Sequence, residues 1–140
     1  MDAKVFLSRA YCLELRIQSK QQQIAALRSL ASKVTTSYGS EPVSHTRNVT
    51  SMQDTVEKIL EAERELNRQI DELVDVKLET ARVIDQVSNI HCRLVLEKRY
   101  LLFQHWEDIS ADMGYTVRWL QMKNREALDE VQEILDRMEE

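Results

Sequence analysis

A chain of 140 residues with a net charge of −5, 43% hydrophobic and 31% charged residues, but only 2 glycines and 1 proline, has the makeup of long helices with almost no β turns. Aromatic residues make up 6%, so the core must come from Leu, Ile, Val and Ala, the residues of helix seams rather than of compact sandwiches. The acidic balance argues against loose binding of polyanions, because affinity for DNA rests largely on phosphate neutralisation.

The first segment places Phe6, Ala10, Leu13, Ile17, Ile24, Leu27, Ala31 and Val34 at steps of three and four, with Lys20 interrupting. This spacing predicts one amphipathic helix from about Ala3 to Thr35, about 50 Å long at 1.5 Å per residue. Residues 36–51 contain the proline, Tyr38-Gly39-Ser40-Glu41-Pro42 and many Ser, Thr and Asn, and read as a loop. A second helix is expected from Ser51 or Asp54, with a seam of Met52, Val56, Ile59, Leu66, Ile70, Leu73, Ile84 and Val87. Glu63, Lys77 and Thr80 interrupt it, and Glu61 with Arg64 and Glu65 with Arg68 are spaced to pair on its exposed side. The two helices are expected to fold back as a long antiparallel, coiled-coil-like hairpin over residues 1–87. Leu7, Tyr11, Leu15, Leu30, Leu60, Val74 and Leu78 widen the apolar stripes beyond what one pair covers, which points to a homodimer or a protein partner. Ser88 and Asn89 then mark a boundary, and a third helix is expected from about Ile90 to Gln104, opening a second domain over residues 88–140.

The stretch from Trp106 to Leu128 has the spacing of a helix-turn-helix. A reversal of about three residues needs a position that tolerates positive φ, and Gly114 supplies it without a Cβ penalty. Asp112 and Met113 close the helix before it. Thr116 is placed so that its hydroxyl accepts from the free N–H groups of the next helix. Ile109, Ser110, Met113, Tyr115 and Leu120 fall where two crossing helices touch, and Trp106 and Trp119 are expected to pack there as well. The second helix would present Thr116, Val117, Arg118, Gln121, Met122 and Arg125 outward, since positions three and four apart share a face. Arg suits the O6 and N7 acceptors of guanine, and Gln suits adenine. Lys123 occupies a usually apolar position and must run its amine out to solvent or face elsewhere. Between His91 and Arg125, Arg93, Lys98, Arg99, Arg118, Lys123 and Arg125 outnumber Glu97, Glu107, Asp108 and Asp112, whereas the chain beyond Glu126 is acidic.

From about Arg93 to Leu128 the chain resembles region 4 of sigma-70 factors. It is also similar, over nearly its full length, to small phage and prophage proteins with sigma-like C-termini, akin to late-gene transcription regulators. The resemblance is carried by Arg99-Tyr100-Leu101, Trp106-Glu107-Asp108-Ile109, Met113-Gly114-Tyr115-Thr116, Arg118, Leu120 and Ala127-Leu128. The basic or aromatic residues that family carries after the turn are partly replaced here by Gln121, Met122 and Asn124. The resemblance implies an all-α fold with a sigma region 4-like helix-turn-helix following the hairpin. It also implies a sequence-specific regulator whose contacts to double-stranded DNA come from Thr116, Arg118, Gln121, Met122, Lys123 and Arg125, acting as a dimer or with host RNA polymerase.

Two other readings stay open: an interaction module that binds a host protein, either polymerase or a defence nuclease, and a packaging protein like a small terminase subunit. No enzyme is expected, because no nucleophile has a neighbouring base and no glycine loop cradles a phosphate. No metal or other cofactor is expected either: His91, Cys92 and His105 do not make the short paired spacings of a zinc site, and the second helix lacks the Glu-x-x-His pairs of a di-iron bundle. Cys12 and Cys92 lie far apart and fit a reduced compartment. No segment reads as a secretory signal or a membrane span, so a location in the host cytoplasm away from any membrane is expected.

Overall fold

A computed structural model describes the backbone of residues 1–38 and 45–140 and the side chains of residues 1–33 and 51–140. It is all-helical, with no strand among the described residues: α1 is Ala3–Tyr38, α2 His45–Ile84, α3 Ile90–Leu96, α4 Trp106–Met113 and α5 Val117–Met138. A π-helical turn, Glu97–Leu101, continues α3. No helix among the described residues is long and apolar enough to cross a membrane.

Both long helices reach further into residues 36–51 than their composition suggests, α1 to Tyr38 and α2 back to His45. Adding a residue to an existing helix avoids the cost of nucleation, so poor helix formers are carried along at its ends. The Gly39 to Pro42 part of the expected loop lies outside the described residues.

The chain divides into two compact units, one of Met1–Glu14 with Leu73–Glu140 and one of Leu15–Glu72. This division falls inside the long helices. The reason is a shared core in the first unit: Phe6 and Leu7 of α1, Val83 and Ile84 at the end of α2, Val87 just beyond it, Cys92 and Leu96 of α3, and Ala127, Val131, Ile134 and Leu135 of α5 are all buried together. The 3.6-residue period of each helix collects these side chains on one face. Arg9 pairs with Glu79 at 3.4 Å beside this core, and Ser88 N–H donates to Glu130 Oε1 at 2.8 Å, tying the start of the α3 segment to α5.

In the second unit Ile17, Ile24 and Ile59 are buried, and Arg28 pairs with Glu63. The pairs Glu61–Arg64 and Glu65–Arg68 form along α2. The arginine beside Glu65 holds its carboxyl below the usual carboxylate range, by hydrogen bond first and charge second. Leu27, Met52, Val56 and Ile70, expected in the seams, are exposed, as are Leu15, Leu30 and Leu60.

Along α2 the positions 59, 66, 73 and 80 repeat every seven residues, and three of these four are buried, Leu66 being half-buried. Thr80 therefore belongs to the covered stripe and does not interrupt it. It is fully buried, and its hydroxyl donates to the Val76 carbonyl at 2.7 Å, which satisfies the group within its own helix.

Asn89 caps α3, its Oδ1 accepting from His91 N at 2.8 Å and Cys92 N at 3.2 Å. The helix does not run on to Gln104. It widens into the π turn, with Leu102 N donating to Glu97 O at 3.0 Å and Gln104 N to Lys98 O at 2.9 Å. Phe103 then takes φ 58, a left-handed conformation costly for an aromatic residue. Its ring is held edge-on by Tyr11, centroids 5.5 Å apart, and lies under Lys77 Nζ at 4.8 Å. Arg99 closes the reversal, donating to Gln104 O at 3.0 Å and lying over the Trp106 ring at 4.9 Å.

Ile84 is fully buried at the centre of the larger core. Replacing it with Ala removes buried apolar volume and leaves a cavity, so Ile84→Ala should lower unfolding free energy by about 2–5 kcal/mol. Urea titration followed by circular dichroism checks this.

Candidate nucleic-acid interface

Helix α4 ends where Gly114 takes φ 76 and ψ 20, the left-handed conformation, and its N–H donates to the Ser110 carbonyl at 2.9 Å. A Cβ built at Gly114 meets nothing within 4 Å, so the backbone conformation alone restricts this position to glycine. Ser110 Oγ donates to the Tyr115 carbonyl at 2.6 Å, which fixes the second half of the turn. Thr116, extended at φ −69 and ψ 152, caps α5, its hydroxyl accepting from Trp119 N–H at 3.2 Å.

Between the two helices lies a small second core. Ile109 of α4 and Leu120 of α5 are fully buried against Val95 of α3, with Trp106, Met113 and Trp119 partly covered around them. This core sets the crossing of α4 and α5 and turns the remaining sides of α5 outward.

Tyr115 stands apart from the other turn residues. It is 39% exposed and lies on the surface, its ring stacked on Trp119 at 4.0 Å and its hydroxyl 3.2 Å from His91 Nε2. His91 sits edge-on to Trp119 at 5.6 Å, so the three rings fasten the start of α3 to the start of α5. Sequence spacing had no means of linking His91 to this cluster, since 24 residues separate it from Tyr115.

Of the residues expected to meet DNA, Thr116 at the cap and Arg118, Gln121, Met122 and Arg125 on α5 are exposed; Val117, expected only to face outward, is half-buried. Thr116, Arg118, Trp119, Met122 and Arg125 line one open groove whose far end is made by Glu126 and Asp129. The groove thus changes sign along the helix, cationic near the α5 N-terminus, where the helix dipole adds to the positive potential, and anionic beyond Arg125.

Lys123 does not join this face. Its side chain is 19% exposed, and its amine pairs with Glu126 at 3.1 Å and lies over the Trp119 ring at 5.4 Å. The long aliphatic stem covers the helix junction while the charge reaches the rim. Lys98 is similarly engaged, with Asp112 at 3.6 Å, and Arg99 with Trp106. The local cationic excess read from the sequence is therefore partly spent within the fold, leaving Arg118 and Arg125 as the arginines of the groove.

Cys92 lies beneath this region, its thiol 3.7 Å from the Lys123 carbonyl. Burial, assisted by the nearby Glu126 carboxylate, pushes its thiol above the usual range. No protein-family model, curated protein or solved structure matches the chain.

Three outcomes follow from this geometry. Gly114→Ala should cost about 1–2 kcal/mol through backbone strain alone, and Thr116→Ala about 1 kcal/mol through the lost cap, both read from shifts of the urea midpoint at constant slope. Exposed Cys12 should react with a thiol reagent under native conditions, whereas Cys92 should react at a comparable rate only after denaturation. Equal native rates, compared in single-cysteine variants, contradict the buried placement of Cys92.

Proposed function

We propose that this chain is a phage-encoded, sequence-specific DNA-binding regulator of transcription that works in the host cytoplasm. In this reading α4, the Gly114 turn and α5 form a helix-turn-helix of the sigma region 4 kind, with Thr116 to Arg125 entering the major groove. The observation that carries it is the outward set of Arg118, Gln121 and Arg125 on a helix whose inner side is held by buried Leu120 and whose first turn is capped by Thr116. Guanidinium and amide groups in that arrangement match the acceptor and donor pattern of purine edges. The helix N-terminus favours the neighbouring phosphates.

The two long helices serve, on the same reading, as antiparallel arms for a second copy or for RNA polymerase. A two-fold dimer places two reading helices about 34 Å apart, one turn of DNA. The exposed leucines Leu15, Leu30 and Leu60 suit such a contact.

The acids of the α5 groove favour a second reading. Glu126 and Asp129 beside Arg118 and Arg125 repel phosphate and suit a mixed-charge protein surface, so a module that binds a host protein is the competing proposal. Pull-down from host lysate in the presence of nuclease separates the two: a retained protein supports this reading, and an empty lane supports DNA binding.

The direct test of the first reading selects a bound duplex from a random library and measures its retention by gel shift. The double variant Arg118→Ala with Gln121→Ala should weaken retention of that duplex at least tenfold, since each specific base pairing is worth about 1–3 kcal/mol. Helical content should not change, both positions being exposed. Unchanged retention counts against the proposal.

A further inference from the structure

The α5 groove contains an exposed apolar side chain that neither phosphate binding nor purine recognition accounts for. Met122 is 45% exposed and lines the groove together with Arg118 and Arg125, which stand four residues before it and three after it on the same helix face. Thr116 and Trp119 border the same groove. A thioether has no donor and is only a weak acceptor. Pressed against the polar edge of guanine, adenine or cytosine it would leave those base atoms without partners, at the cost of a buried polar group. Among the four bases only thymine offers an apolar group in the major groove, its C5-methyl.

We infer that Met122 is a specificity residue that recognises the methyl group of a thymine placed between the base contacts of Arg118 and Arg125. The inference rests on the DNA-binding reading and adds to it the base class read at the centre of the helix. Asp129, with Glu126 whose charge Lys123 offsets in part, disfavours closer approach of phosphate beyond Arg125. Met122 thereby sits in the middle of the usable face. The packing side of the helix is left to Leu120, which is fully buried.

The test uses wild-type protein and the variants Met122→Ala and Met122→Gln on duplexes selected from a random library. Each thymine in the selected site is then replaced singly by deoxyuridine, which lacks the methyl group. Wild type should lose about fourfold in affinity at one thymine, the worth of one buried methyl, while Met122→Ala is indifferent to the same replacement. Met122→Gln should shift the selected base at that position from thymine towards adenine. A selected site whose deoxyuridine replacements affect wild type and Met122→Ala alike overturns the role of Met122 and leaves the DNA-binding reading standing. Failure of the wild type to enrich any site removes the DNA-binding reading itself, and this inference with it.

Discussion

The contact of Ile109 with Leu120, closed over Val95, is the interaction on which the rest of the candidate site depends. It is small, with its partly covered neighbours Trp106, Met113 and Trp119 forming a rim around three fully buried side chains. Its effect is geometric more than energetic. A reversal from α4 into α5 through one left-handed glycine leaves little slack, so the pair of apolar contacts inside the bend decides which side of α5 is covered. Once Leu120 faces inward, helical periodicity sends Arg118, Gln121, Met122 and Arg125 to solvent.

Helix α5 has two tasks along its length. Its later residues, Ala127, Val131, Ile134 and Leu135, are buried with the start of α1 and the end of α2. Its earlier residues carry the groove. A continuous helix transmits this anchoring rigidly to its exposed end, as a binding constellation requires of its scaffold. The π turn contributes by ending α3 early enough for α4 to cross. The strain of Phe103 at φ 58 is held by Tyr11 and Lys77 on its ring and by Arg99 across the reversal. Wider turns of this type are frequent at functional sites, where a helix must be re-aimed without being broken.

Charge is distributed to the same end. The chain is acidic overall, yet the start of the α5 groove is cationic. Several neighbouring bases are consumed by internal partners: Lys123 by Glu126 and Trp119, Lys98 by Asp112, Arg99 by Trp106. With these bases engaged inside the fold, the surface around the groove presents less positive charge than a count along the sequence gives.

Periodicity alone determined that the chain is helical, since two glycines and one proline in 140 residues leave few places to break a helix. It also located the α4–α5 turn, because a left-handed bend has a residue requirement, glycine, and a cap has another, the Thr116 hydroxyl. These are local rules, legible wherever they occur. What only the tertiary structure decided depends on contacts between distant segments. Thr80 is polar by type and buried because its hydroxyl is satisfied by Val76 within the same helix. Tyr115 is apolar enough for a core but lies outside, stacked on Trp119 and bonded to His91. Lys123 is a cation half-buried over the Trp119 ring and paired with Glu126. The unit boundary within α1 and α2 arises from the shared burial of Phe6, Ile84 and Val131, residues that no window of sequence brings together. Local pattern specifies helices and turns because their hydrogen bonds close within a few residues, whereas burial is a property of the assembled surface.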